Sequence, residues 1–274
     1  MSDTGNWRHY LDRVRIWLCA LALIGAMVPL PAQAAPGESA GTHQVLLPIL
    51  WLNGPGDVCA PIPGESYGTL TIEGPPTDRA AANHADLNLA LRGYGPTSAS
   101  LGLVNYDGGT DPSAPQLAGL FADRRSPVIR TVHRVNDWNW ASNSRGNPIS
   151  YPVVTLMEIA ATAGETVHAP NSGYTLGSGY EVLVLYASAQ RITLKYTRND
   201  NVVHGYTLHI EGICVESSLL ALYESWNAAG RGQLPALAAG QALGRSRGSA
   251  IGVAIRDNGS FLDPRSRKDW WRAY

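Results

Sequence analysis

The chain has 274 residues and a formal net charge of -1 at pH 7, so it is long enough for one large domain or two modest ones. Only 16% of its residues are charged, and no basic excess or polybasic run is present. This composition argues against a nucleic-acid partner and against electrostatic attachment to a lipid surface. Frequent glycine and proline, with many tryptophans and tyrosines, are typical of a turn-rich β protein.

Residues 1–34 have the three parts of a secretory signal peptide. Several arginines precede an apolar run over residues 16–30, and Ala32 to Ala34 fit the small-residue cleavage pattern. An uncleaved anchor is the alternative, although the apolar run is short for a membrane span. We therefore predict a secreted or cell-envelope protein that has no membrane span after signal cleavage.

Removal of this segment leaves two cysteines, Cys59 and Cys214. In an oxidising compartment such a pair favours a disulfide, which here would connect the start of the mature chain to its C-terminal region. Two buried and unpaired thiols are the alternative interpretation. Without a neighbouring cluster of histidine or cysteine, the pair does not indicate a zinc site.

Residues 35–135 are predicted to form an N-terminal β-rich region. Short segments with apolar residues two apart are separated by turns that contain glycine and proline, which indicates antiparallel strands. The predicted strands cover residues 43–51, 69–72, 86–91, 100–104 and 128–132. Whether this region is an independent domain or a flank of the following one stays open at this level.

Residues 136–274 are predicted to form a second β-rich domain. Its strands are expected over residues 153–159, 166–168, 181–186, 192–196, 206–210 and 252–255. A polar, aromatic segment over residues 138–148 is predicted to be a loop at the junction. One helix is predicted over residues 217–229, with Ser217 or Ser218 as the N-cap and Gly230 as the stop.

The segment Leu237 to Pro264, LAAGQALGRSRGSAIGVAIRDNGSFLDP, resembles the closing hairpin of the lysostaphin-type murein endopeptidases. Asn258 and Gly259 between short apolar runs predict its hairpin turn. The segment Gly164 to Gly173 resembles the family's strand and turn before the aromatic region, and Tyr206 to Ile210 resembles its Y-x-H-L segment. The resemblance implies a C-terminal domain of the duplicated-hybrid-motif kind, so the fold class we expect is mostly β with antiparallel sheets and one short helix.

The residues that would hold zinc in this family are largely replaced. The alignment places the two histidines of the H-x-H motif on Ala250 and Gly252, and the first metal pair on Val154 and Glu158. His209 stands where the resemblance implies the catalytic-base histidine. Because a catalytic zinc ordinarily needs three protein ligands, the resemblance implies a peptidase-like domain without its metal, which we interpret as a pseudoenzyme with no cofactor.

A relocated zinc site is the alternative. His204 and His209, together with Glu158 or His168, are residue types that bind zinc. The odd spacing of the two histidines places them on opposite faces of a strand unless a bulge at Gly205 reorients one. The other interpretation is a hydrogen-bonded structural His209 and a surface His204.

The candidate binding residues come from an aromatic-rich stretch that begins at the junction, together with two histidines further along the chain. Flat aromatic rings beside amides suit the apolar faces of sugar rings, but one or two of the tryptophans could instead fill the interface between sheets. The predicted binding residues are Trp138, Trp140, Tyr174, His168 and His204.

The sequence therefore supports three functional hypotheses. The first is a secreted pseudo-peptidase that binds peptidoglycan or another extracellular glycan or peptide. The second is an active secreted hydrolase, either a murein metallopeptidase with zinc on relocated ligands or a glycan hydrolase. For the glycan hydrolase, the sequence offers several carboxylates whose spacing pairs none of them. The third is a structural surface-layer or adhesion module.

Overall fold

The computed structural model describes residues 57–274; the predicted signal peptide and the predicted strand at 43–51 lie outside them. The described chain is mostly β, as expected. Its strands are β1 (Gly68–Thr71), β2 (Tyr94–Pro96), β3 (Ile129–Asn139), β4 (Ser144–Pro148), β5 (Leu156–Ala160), β6 (Thr166–His168), β7 (Val182–Ser188), β8 (Arg191–Lys195), β9 (Tyr206–Glu211), β10 (Ile213–Val215), β11 (Gln233–Leu237), β12 (Ala242–Ser246), β13 (Ala250–Asp257) and β14 (Ser260–Leu262). Its α-helices are α1 (Leu89–Arg92), α2 (Ser217–Ala228) and α3 (Arg267–Trp270).

The main sheet has 11 strands, in the order β1-β11-β7-β8-β9-β13-β5-β3-β2, with β14 paired to β13 and β4 paired to β3. The pairs of named strands in this sheet are antiparallel. A 3-stranded antiparallel sheet has the order β10-β12-β6. Because β1 pairs with β11 and β3 pairs with β5, strands from residues 35–135 and from residues 136–274 belong to one sheet.

The two faces of the main sheet have opposite chemistry. Successive side chains of a strand point to opposite faces, and Val253 lies opposite Ile210 on one side and Met157 on the other. These apolar residues are buried in the larger core, which also includes side chains of β7 and β8. The other face of the same strands carries polar and charged side chains: Arg191, Thr193 and Lys195 of β8, Thr207, His209 and Glu211 of β9, Arg256 of β13 and Glu158 of β5.

Part of the polar face is covered by α1 and by the β3–β4 hairpin. A smaller apolar cluster forms there, in which Leu89 of α1 packs with Leu156, Ala254 and Phe261 of the sheet and its hairpin. The carbonyl of Leu87, just before α1, accepts a 2.6 Å hydrogen bond from Thr193 Oγ1. The centre of the polar face is therefore closed to solvent.

Two predicted strands are wrong and one predicted loop is a hairpin. The alternation of Leu87, Leu89 and Leu91 suggested a strand, but Leu87 lies just before α1 and packs in the larger core, whereas Leu89 lies within α1 and packs in the smaller one. Residues 100–104 form no strand; Val104 makes one isolated bridge to Ser266. Residues 138–148, predicted as a loop, contribute to β3 and β4, which Asn143 connects in a left-handed conformation with φ of 48°.

The predicted helix and hairpin turn are both present. α2 begins one residue after Glu216, whose carboxylate accepts hydrogen bonds from the backbone N–H groups of Ser218 at 2.7 Å and Leu219 at 3.2 Å. The N-cap is thus a glutamate rather than the expected serine. Asn258 and Gly259 have φ of 46° and 85° between β13 and β14, which is the left-handed backbone that this dipeptide tolerates.

The predicted disulfide between Cys59 and Cys214 is confirmed, with a Cα–Cα distance of 5.3 Å. It attaches the segment before β1 to β10 in the small sheet. Arg245 of β12 supports the same attachment, since its Nε donates a 2.8 Å hydrogen bond to the carbonyl of Ala60. Within residues 57–274, none of the helices has the length and apolar character that crossing a membrane requires.

Candidate functional site

His209 lies in the covered centre of the polar face and is 1% exposed. Its Nδ1 is 3.0 Å from Thr193 Oγ1, and its ring stacks on Phe261 at a centroid distance of 6.0 Å. Burial, with the nearby positive charge of Arg256, lowers the pKa of His209 to about 3. Its Nε2 has no hydrogen-bond partner within the described chain. The imidazole is therefore neutral and shielded from solvent, and its predicted role as a catalytic base stays a prediction.

Glu158 lies on the same face at a more exposed position. It is directly opposite Gly252 in the pairing of β5 with β13. Its Oε2 accepts a 2.7 Å hydrogen bond from the Thr131 hydroxyl, and its Oε1 is 3.6 Å from His133 Nε2. Two positions that the sequence alignment assigned to metal ligands, at Glu158 and Gly252, thus face each other across neighbouring strands.

Glu211 flanks Gly252 from the other side, because β9 also pairs with β13. Its carboxylate accepts hydrogen bonds of 2.9 and 3.1 Å from Arg191 Nε. Burial raises the pKa of Glu211, although Arg191 opposes this shift. Two carboxylates, Glu158 and Glu211, therefore lie on one face of the sheet, with only Gly252 of β13 between them. The spacing of these residues in the sequence did not reveal this arrangement.

The remaining histidines are dispersed. His168 is half-buried in β6 of the small sheet, where it pairs with Ala242. His204 is exposed in the connection between β8 and β9, where its carbonyl, not its ring, accepts a hydrogen bond from Lys195 Nζ. No group of three or more histidine, cysteine, aspartate or glutamate side chains placed to hold a metal ion occurs among residues 57–274. The side chains proposed for a relocated zinc site therefore do not meet.

Two of the predicted aromatic binding residues, Tyr174 and Trp140, do not line the same cavity as Trp138. The Tyr174 hydroxyl donates a 2.6 Å hydrogen bond to Asp111 Oδ2, and this bond, with some burial, raises the pKa of Tyr174 to about 12. Trp140 packs edge-on against His84 at 5.2 Å and against Trp138 at 6.4 Å. It borders a shallower depression of about 460 Å³ with His84.

Trp138 lines a cleft of about 680 Å³ between the β3–β4 and β13–β14 hairpins, which we call the first recess. Its lining combines aromatic rings, side-chain amides and two arginines. These residues include Trp138, Tyr151, Phe261, Asn139, Asn147, Arg92 and Arg256. Tyr151 is 77% exposed, so its ring is available to a ligand without any rearrangement of the fold.

A second recess of about 440 Å³ adjoins the first and shares Tyr151, Ser260 and Phe261 with it. Its other walls include Tyr106 and Trp270. Because the two recesses meet along β14, we refer to them together as the groove. The groove therefore presents aromatic side chains over the length of two adjoining recesses.

Two arginines that line the first recess, Arg92 and Arg256, belong to a network of charged side chains centred on Asp86, which itself borders the depression beside Trp140. Asp86 Oδ1 accepts a 2.7 Å hydrogen bond from Arg92 Nη2 and another of 2.7 Å from Arg256 Nη1. Each arginine side chain is only 5% exposed. Burial alone would raise the pKa of Asp86, but Arg256 and Arg92 lower it below its usual value. Arg256 Nε also donates a 2.9 Å hydrogen bond to the carbonyl of Gly259, which fixes the turn after β13.

Sequence reasoning identified Trp138 but missed Asp86, Arg92 and Arg256. Asp86 and Arg256 are 170 positions apart, so no local pattern connects them. No family model, curated protein or solved structure matches this chain. What the groove does is therefore argued from its own residues.

Proposed function

We propose that the protein is exported and binds peptidoglycan, or another extracellular glycan or glycopeptide, in the groove. The observation that carries this proposal is the first recess, where Trp138 and Tyr151 stand beside the amides of Asn139 and Asn147. Aromatic rings stack on the apolar faces of sugars, and neighbouring amides exchange hydrogen bonds with hydroxyl groups. Export is supported by the predicted signal peptide and by the Cys59–Cys214 disulfide, a bond that persists in oxidising compartments.

We further propose that the domain is a degenerate relative of the lysostaphin-type peptidases that has kept a framework without the catalytic metal. The pairing of Glu158 with Gly252 supports this, since two ligands of one ion must lie close together. The glycine and Ala250 have no metal-binding side-chain atom, and Val154, the remaining aligned position, is fully buried and apolar. The aligned positions thus retain one possible ligand, whereas catalytic zinc ordinarily has three.

The proposal is tested with the mature chain, starting at residue 35, by co-sedimentation with purified peptidoglycan, chitin and cellulose. Retention by at least one of these solids is expected. Tyr151→Ala and Trp138→Ala should each weaken it about tenfold, because stacking on an aromatic ring contributes about 1 to 2 kcal/mol. Tyr174→Ala removes a ring of 41% exposure outside the groove and is the matched control. Retention that the two groove variants leave unchanged, at unchanged thermal stability, would overturn the proposal.

A second candidate function is glycan hydrolysis, which the placement of Glu158 and Glu211 around Gly252 favours. Glycosidases use two carboxyl groups, and the proton donor has a raised pKa. Burial raises the pKa of Glu211, which would make it the acid and Glu158 the base or nucleophile. Release of reducing ends from peptidoglycan or chitin, lost in both Glu211→Gln and Glu158→Gln, would establish this function. Retention without release of product supports the binding protein instead.

A further inference from the structure

Two buried arginines, Arg92 and Arg256, line the first recess and share one carboxylate, that of Asp86. As whole residues, Arg92 and Arg256 are each 4% exposed. Asp86, whose side chain is 15% exposed, is the carboxylate that bonds to both arginines. Buried cations are stabilised by nearby anions, and two arginines that share one carboxylate therefore make the recess suited to a further anion.

The next carboxylate near these arginines, that of Asp137, is only weakly bound to Arg92. Asp137 Oδ1 is 3.4 Å from Arg92 Nη1, and the Asp137 side chain is 73% exposed. An exposed ion pair of this kind contributes little, because water and salt screen it. Asp137 also lines the first recess, and it is therefore the group that an incoming anion would displace from Arg92.

Both arginines retain hydrogen-bond donors. A guanidinium carries five N–H groups, and Arg256 donates to Asp86 and to the carbonyl of Gly259 through three nitrogen atoms. Arg92 donates to Ala85, Asn136, Asp137 and Asp86. Since each Nη carries two hydrogens, each guanidinium keeps at least one N–H that no described residue accepts. Both residues line the recess.

We propose that the groove recognises a carboxylate on its ligand, which binds Arg92 and Arg256 in place of Asp137 while the aromatic walls hold the adjoining sugar or peptide. This inference rests on the proposed function and specifies its ligand chemistry. Arginine suits the task because its planar fork matches the two oxygens of a carboxylate. The carboxylate has two sources in cell-wall material, an acidic sugar or the C-terminus of a stem peptide.

The first test uses the wild-type mature protein and calorimetry with matched ligand pairs. One pair is a disaccharide containing N-acetylmuramic acid and the same disaccharide with the carboxylate amidated. The other pair is a stem peptide with a free C-terminal carboxylate and the same peptide as a carboxamide. At least one acid should bind about tenfold more tightly than its amide, because charge-assisted hydrogen bonds are worth more than neutral ones. Whichever pair shows the preference identifies the source.

Two other results of this experiment would overturn different claims. Equal affinities for acid and amide in both pairs would overturn the carboxylate inference while leaving groove binding in place. Absence of binding by every probe, including peptidoglycan itself, would overturn the proposed function and the inference together.

The second test removes the competing carboxylate without touching the buried network. Asp137→Asn should tighten binding of the preferred acid about threefold and leave its amide unchanged. Asp123→Asn is the matched control, since Asp123 is also exposed, at 59%, and also pairs with an arginine, Arg125, at 3.0 Å. A ligand affinity that falls or stays the same in Asp137→Asn would show that the ligand does not take the place of Asp137.

Discussion

His209 donates its Nδ1 hydrogen to Thr193, a direction that follows from the partners of the threonine. The Thr193 hydroxyl donates its one hydrogen to the carbonyl of Leu87 at 2.6 Å, so it can only accept from His209 at 3.0 Å. The hydrogen of the neutral ring therefore sits on Nδ1, and Nε2 is a bare acceptor. This chain of three groups connects β9 and β8 to the segment before α1, and it holds that segment against the polar face.

The first prediction concerns acid stability. His209 has a folded-state pKa of about 3 against 6.5 in the unfolded chain, so between these values only the unfolded state gains the proton. Stability should then fall by roughly 1 kcal/mol per pH unit as the pH drops from 6.5. His209→Asn, whose amide N–H can replace the Nδ1 donor, should be less stable at pH 7 but should show a shallower loss between pH 6.5 and 5. Urea unfolding at each pH gives the slope of the unfolding free energy against pH for both proteins. Equal slopes would contradict the assignment of this pH dependence to His209.

The fold of the C-terminal half could be predicted because its strands have one apolar face. β6, β8 and β9 follow the alternation that the sequence shows, and the main core buries their apolar residues. The β3–β4 hairpin was missed because β4 has no buried residue, and a strand with two polar faces leaves no alternating signal. The strand predicted at 86–91 failed because a turn followed by a one-turn helix also places alternate leucines in different clusters, Leu87 from the turn and Leu89 from α1.

The candidate site was predictable only in part. Trp138 was among the predicted binding residues because an aromatic residue beside amides is a chemical signal within a single segment. Asp86, Arg92 and Arg256 come from three separate segments, and only the pairing of the folded chain brings them together. Likewise, Glu158 and Glu211 come close together only because Gly252 of β13 pairs with both. Such constellations depend on strand order, which local patterns do not determine.

The second prediction concerns alkaline stability. Burial, with the nearby charge of Arg256, lowers the pKa of Lys195 to about 7 from 10.5, while Asp257 opposes the shift. Above pH 7 the folded state loses this proton while the unfolded state keeps it, so stability should rise by roughly 1 kcal/mol per pH unit. The window ends near pH 9 to 10, because burial raises the pKa of half-buried tyrosines such as Tyr206, and their titration lowers stability as the pH rises further.

Lys195→Met tests whether Lys195 causes this rise in stability. It should remove the rise in stability between pH 7 and about 9. Its stability at pH 7 should itself fall, because the carbonyls of His204 and Gly205 lose their donor. Guanidinium chloride unfolding of both proteins across this range gives the comparison. A rise that persists in Lys195→Met would assign it to another group.

The third prediction concerns the disulfide. Cys59 and Cys214 are 155 positions apart, and closing a loop of this length stabilises a protein by about 5 kcal/mol in the chain-entropy model. Cys59→Ser with Cys214→Ser should therefore lower the urea midpoint strongly, and the reduced wild-type protein should show the same midpoint. A midpoint that neither reduction nor the double variant changes would show that the bond does not form in solution.

The fourth prediction compares two ion pairs that hold the same region. Asp200 and Arg231 form a pair at 2.6 Å with side-chain exposures of 0% and 6%, and Arg231 also donates to the carbonyl of Leu185 at 2.8 Å. Asp200→Asn should cost about 3 to 5 kcal/mol, because it leaves a buried guanidinium without its counter-charge. Glu73→Gln is the matched control, since Glu73 is 61% exposed and lies 3.7 Å from Arg198, and it should cost less than about 1 kcal/mol. Similar losses of unfolding free energy in the two variants would mean that the Asp200 pair is hydrated rather than buried.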